Sequence, residues 1–136
     1  MTDPIDRREA IGRLAAGLAA GVLASEAGCA GGPPIPKNAL VVEPARVPPG
    51  TVGRFRFNQL PVLVLNLDGG VRALSGVCTH EGCELGWNPR QQLIRCPCHG
   101  SAFRPDGTVQ QGPAARALDE YPVLMRRGKI VVTGLP

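Results

Sequence analysis

Four of the five cysteines and both histidines of this 136-residue chain fall between positions 78 and 99. They lie in two short segments, Cys78-Thr79-His80-Glu81-Gly82-Cys83 and Cys96-Pro97-Cys98-His99-Gly100-Ser101. Thiolates and imidazoles bind soft and borderline metals, so a fold for this chain has to bring both segments to one site. Thiolates with imidazoles ligate iron-sulfur clusters, and a Cys2His2 set also makes a tetrahedral zinc staple. A Cys-x-His spacing is tight for a zinc knuckle. Zinc on Cys78, His80, Cys96 and His99 would also leave Cys83 and Cys98 without a role. Cys29 stands apart and needs its own explanation.

Around these segments the chain is built for short strands. Its 18 glycines, 14 prolines and five aromatic residues favour many turns over long helices. Apolar or alternating runs at 40–42, 53–57, 62–67 and 71–74, bounded by Pro, Gly and Asn, predict an antiparallel sheet, with Asp68-Gly69-Gly70 as a hairpin turn. Further strands are predicted at 108–110, 121–125 and 130–133, the last two joined through 126–129. Residues 77–103 interrupt the pattern with Cys, His, Gly and Pro. The expected class is all-β, with small antiparallel base sheets and an inserted metal-binding subdomain. The formal charge of +4 does not point to nucleic acid, because the arginines are scattered singly apart from two pairs, without an aromatic-basic pattern.

C-T-H-x-G-C followed by C-P-C-H-G-S, continued by Trp87-Asn88 and Gly112-Pro113-Ala114, resembles the motif pair of Rieske proteins at every specified position. The likeness covers 77–121 and is greatest to the Rieske subunits of quinol-oxidising cytochrome bc and bf complexes. It implies the Rieske fold, with a domain over 38–136 and a cluster-binding subdomain at about 77–111. It also implies a 2Fe-2S cluster, with Cys78 and Cys96 on one iron and His80 and His99 on the other. A Cys83–Cys98 disulfide, as in the high-potential branch of the family, would pin the two loops together. Such a bond requires an oxidising compartment.

By the same resemblance, Ser101 stands where a hydroxyl donates to a cluster sulfur and raises the potential; a turn serine satisfying backbone is the plainer reading. Phe103 occupies the position of a tyrosine that bonds to a ligand sulfur in quinol-complex members, so that bond is expected to be missing. Gly112-Pro113-Ala114 resembles the start of the loop that covers the cluster, but Ala115 replaces a second proline, which puts the cover's rigidity in question.

The first 27 residues have the layout of an export signal: Arg7 and Arg8 precede an Ala/Gly/Leu stretch at 11–25 broken only by Arg13. The uninterrupted run, 14–25, is twelve residues, short of the roughly twenty that span a bilayer. Asp6-Arg7-Arg8-Glu9-Ala10-Ile11 resembles the twin-arginine motif, although Ala10 and Gly12 depart from it; an arginine pair in an ordinary Sec signal is the alternative. Export already folded suits a metal centre assembled in the cytoplasm. Cleavage after Ser25-Glu26-Ala27 is expected, with 28–37 as a flexible linker. Ala27-Gly28-Cys29 also resembles a lipobox, which would lipidate Cys29; otherwise Cys29 is an unpaired residue of a leader or tail.

Three functions follow as expectations. The first is a stand-alone exported carrier passing single electrons between redox proteins on the periplasmic side. The second is the iron-sulfur subunit of a quinol-oxidising complex, with a cytochrome as partner, or of an arsenite-oxidase-like enzyme. The third is a zinc-stapled binding module. The short leader and linker favour the carrier over a quinol-complex subunit. Membrane contact is expected only through a lipid at Cys29 or an uncleaved leader. No general base, nucleophile or substrate pocket is legible, so the isolated domain is not expected to catalyse a reaction.

Overall fold

The computed structural model describes residues 33–136. The expected leader, the Arg7-Arg8 pair and Cys29 lie outside the described residues.

The run Pro61-Val62-Leu63-Val64-Leu65 is apolar at every position, the mark of a strand covered on both faces. It forms the centre of strand β3 (Leu60–Leu67), which sits between β2 (Thr51–Phe57) and β4 (Gly70–Ser75) in a four-stranded antiparallel sheet closed by β9 (Glu120–Tyr121). Alternation then sends successive side chains to opposite layers. Val62 and Val64, with Ala73 and Tyr121, pack into one core with Val42, Ile130 and Val132. Leu63 and Leu65, with Leu74, pack into a second core with Leu85, Ile94, Phe103 and the two cysteines Cys78 and Cys96.

The first core is completed by a three-stranded sheet in the order β1 (Leu40–Val42), β11 (Lys129–Val132), β10 (Val123–Arg126). The second is completed by four short strands, β5 (Gly86–Asn88), β6 (Leu93–Arg95), β7 (Ala102–Phe103) and β8 (Val109–Gln111), which pair consecutively as an antiparallel meander. The middle sheet is therefore the floor on which the metal-binding part rests.

Two local differences from the sequence expectation have plain causes. The strand predicted over 121–125 is two strands: β9 pairs with β4 and β10 with β11. Pro122 separates them, and its missing N–H suits the point where the chain leaves one ladder for another. Strands β5 to β7 arise inside the segment where only metal-binding loops were expected. Trp87 opposite Ile94 and Ile94 opposite Phe103 supply the cross-strand contacts that make runs of two or three residues sufficient.

Candidate metal centre

The two Cys/His segments fold into backbone twins. In the first loop, the Cys78 N–H donates to Cys83 O at 2.8 Å and the Gly82 N–H to Cys78 O at 2.9 Å. In the second, the Cys96 N–H donates to Ser101 O at 2.8 Å and the Gly100 N–H to Cys96 O at 3.2 Å. Each loop thus closes between its first and sixth residues and turns at its fifth, where Gly82 and Gly100 have φ of +75° and +79°. No heavy atom lies within 4 Å of a Cβ built on either glycine, so backbone conformation rather than space requires glycine there.

The first residue of each loop enters the core, and the tips face outward. Cys78 and Cys96 are buried, whereas His80 and His99 are exposed. The imidazoles stand edge to face with centroids 5.1 Å apart. Cys83 and Cys98 are joined by a disulfide that ties loop to loop, with the Cys96 Sγ within 4.8 Å of both its sulfurs. Glu81, between His80 and Gly82, brings a carboxylate oxygen to 3.6 Å from His99 Nδ1. The sequence reading had passed over this residue as the variable position of the motif.

A third segment, made of the last residue of β8 and the chain that follows it, covers both loops. Thr79 Oγ1 donates to Arg116 O at 2.6 Å, the Ala114 N–H donates to Ser101 Oγ at 3.0 Å, and Gln111 Nε2 donates to Gly100 O at 3.2 Å. Thr79 belongs to the first loop and Gly100 and Ser101 to the second, so the cover bridges them. These hydrogen bonds tether the segment in which Ala115 stands in place of a second proline. Ser101 is fully buried, and Phe103 lies fully buried in the same core as Cys78 and Cys96.

Two buried thiols beneath two exposed imidazoles are a fitting donor set for a two-iron cluster, with soft sulfur on the core side and nitrogen toward solvent. Residues 37–122 match the family model of the Rieske [2Fe-2S] domain. The chain belongs to that family.

The Rieske chain is 42% identical over 97 residues to the cytochrome b6-f complex iron-sulfur subunit of Chlorobaculum tepidum, covering 71% of this chain and 54% of that one. The chain spans about half the length of such curated relatives, 49% in the case of the subunit from Chlorobaculum thiosulfatiphilum. Among solved structures it resembles the plasma membrane Rieske protein of Synechocystis, with TM-score 0.55, 32% identity, and coverage of 61% of this chain and 86% of that one. It also resembles a chain of a hyperthermophilic respiratory Complex III, with TM-score 0.57, 30% identity, and coverage of 69% and 72%. As a Rieske domain it binds a 2Fe-2S cluster and transfers electrons, which decides against the zinc-stapled module.

Proposed function

We propose that Cys78 and Cys96 hold one iron of the cluster and His80 and His99 the other, and that this chain is an exported one-electron carrier. The observation that carries the ligand assignment is the twin-loop geometry, in which two thiols are buried and two imidazoles are exposed side by side. When bound, the cluster takes up and releases a single electron. The protein's part is to exclude water from the sulfur side, through Leu85, Ile94 and Phe103, and to leave the histidines at the surface for contact with a partner. Ser101 is proposed to donate to a cluster sulfur.

Pulsed paramagnetic resonance of the reduced protein tests the ligand set. Nitrogen couplings from two imidazoles are expected, with one lost in His80→Cys and one in His99→Cys; a signal free of nitrogen coupling overturns the assignment.

Export is supported by the Cys83–Cys98 disulfide, which persists in oxidising compartments, and by the Arg7-Arg8 leader pattern. The proposed organisation is a leader at 1–27, a linker at 28–37 and the Rieske domain at 38–136, with its cluster-binding part at about 77–111. Replacing Arg7 and Arg8 by Lys is expected to retain the protein in the cytoplasm; unchanged export refutes the twin-arginine route. A subunit role in a quinol-oxidising complex is the second reading, favoured by the names of the relatives. Purification at native expression distinguishes the two, because a subunit leaves the membrane fraction together with a cytochrome.

A further inference from the structure

An open groove of about 800 Å³ runs along the flank of the metal-binding sheet. Its walls include Arg54 on β2, Trp87 on β5, Arg90, Arg95 on β6, and Pro97 in the second loop. Three features of this groove coincide.

The first is charge. Among the described residues none of Arg54, Arg90 and Arg95 has a carboxylate within ion-pair distance, and the one acidic residue lining the groove, Glu84, is bound by Arg56 at 2.6 Å. Three guanidinium groups therefore line the groove with no ion-pair partner among the described residues.

The second is backbone. Strand β5 is an outer strand of its sheet, pairing only with β6, and β2 is an outer strand of the middle sheet, pairing only with β3. The groove is thus lined by residues of two edge strands, whose free N–H and C=O groups pair readily with an added extended segment.

The third is position. Glu84 and Leu85 follow Cys83 directly and Pro97 precedes Cys98, so the end wall of the groove adjoins the disulfide that ties the cluster loops. The exposed imidazoles of His80 and His99 are not among the lining residues.

We propose that this groove docks an extended acidic segment of the protein that exchanges electrons with the cluster. Carboxylates would pair with the arginines, apolar side chains would pack on Trp87 and Pro97, and the segment's backbone would add to an edge strand. An edge strand alternates N–H donors with C=O acceptors, which an extended polypeptide can match along its length and a phosphate ion or a lipid headgroup, having acceptors only on its anionic oxygens, cannot; that is why a peptide is the occupant. Seated there, the segment would hold a partner beside the loops while leaving the histidines uncovered. The proposal rests on the reading of the chain as an electron carrier with a protein partner.

The test uses the cluster-loaded full chain and a hexaglutamate peptide as probe. Trp87 is the only tryptophan in the sequence, so its emission reports on the groove. Saturable change in that emission is expected at low ionic strength and is weakened by salt. Affinity should fall about tenfold or more when Arg54, Arg90 and Arg95 are replaced together by Gln, and by a smaller factor in the single variant Arg90→Gln. Replacing Arg126 and Arg127, which do not line the groove, should leave it unchanged. An equal loss in that control, no response of Trp87, or tighter binding of tripolyphosphate or phosphatidylglycerol vesicles than of the peptide would each overturn the proposal. The paramagnetic signal of every sample is recorded in parallel. A normal signal without peptide binding refutes the groove alone, whereas a missing signal refutes the carrier reading.

Discussion

The Ala114 N–H donates to Ser101 Oγ at 3.0 Å, so a buried hydroxyl in the second loop holds the segment that covers the site. Because Ser101 accepts this bond, its own hydrogen is left to donate elsewhere, and among the described residues it has no recorded acceptor. One side chain thus couples the cover to the proposed bond toward a cluster sulfur. Ser101→Ala leaves the Ala114 N–H unpaired and should cost about 1–2 kcal/mol by chemical denaturation. It should also lower the reduction potential, measured by voltammetry, since the lost donor favoured the more negative reduced form. A stability loss with an unchanged potential would confine Ser101 to holding the cover.

The Cys83–Cys98 bond spans a sequence separation of 15 and is the covalent tie between loops that otherwise meet at their tips, through Glu81, His80 and His99, and through the cover and the core. Closing a loop of that length constrains the unfolded chain by about 3 kcal/mol in the chain-entropy model. Replacing both cysteines by Ala should therefore reduce stability by about 2–4 kcal/mol. In the unaltered protein, stripped of its cluster and alkylated without reductant, mass analysis should find two reactive thiols in the region 77–103, Cys78 and Cys96. Four would mean that the bond is absent in solution.

Asp106 carries a pH-dependent contribution. Its carboxylate accepts from Thr108 Oγ1 at 2.6 Å and from the Thr108 N–H at 2.9 Å, closing the turn between β7 and β8. These bonds, the side-chain one foremost, hold its pKa below the usual 3.8. A lowered folded pKa means that the stabilisation is fully present above the unfolded value and fades as pH falls through the folded one. Asp106→Ala should therefore lower stability at neutral pH by no more than about 0.5 kcal/mol, since water screens this exposed site, with the gap to wild type narrowing as pH falls below the usual 3.8 and through the folded pKa. A gap that stays constant from neutral pH to acid would show that the charge of Asp106 plays no part.

How far the sequence was legible depends on whether the relevant signal was local. The apolar run marked a strand at 62–67 because such a run is legible without its partner strands, whereas its place in the middle of the sheet, between two cores, is seen only in the fold. The Cys/His spacing marked the two loops because a metal site concentrates rare residue types. The cover was legible only in part: Gly112-Pro113-Ala114 indicated its presence, but the bonds Thr79–Arg116 and Ser101–Ala114 join residues 37 and 13 positions apart and leave no periodic trace. Strands β5 to β7 were hidden for a similar reason, since two- and three-residue strands carry too few alternations to stand out. The apposition of Glu81 and His99 depends on the two loops being folded side by side.

That apposition has an electrostatic consequence. The Glu81 carboxylate lies 3.6 Å from His99 Nδ1 at the exposed tip, where a fixed negative charge disfavours taking up an electron. Its side chain is 60% exposed, so water screens the effect to about 0.5–1 kcal/mol. Glu81→Gln should raise the potential by on the order of 20–40 mV in low salt, with the difference shrinking as salt is added. A lowered potential would mean that Glu81 acts chiefly by orienting the His99 ring.

Phe103 offers a complementary change from the buried side. Its ring is fully buried in the core that contains Cys78 and Cys96, so a hydroxyl added by Phe103→Tyr enters buried, largely apolar surroundings. There it either donates to a ligand sulfur or stays unpaired, at a cost of about 1–3 kcal/mol. These outcomes separate cleanly in experiment. A donated bond stabilises the reduced cluster more than the oxidised one, because reduction places more negative charge near the sulfurs. A charge-assisted bond is worth about 1.5–3 kcal/mol, and only its difference between redox states moves the potential. A difference of about 1 kcal/mol corresponds to on the order of 40 mV for one electron. Phe103→Tyr should therefore raise the potential by tens of millivolts while stability, measured by thermal unfolding of the loaded protein, is retained. An unchanged or lower potential together with a falling melting temperature would mean that the hydroxyl is unpaired, and that this position tunes packing rather than the cluster.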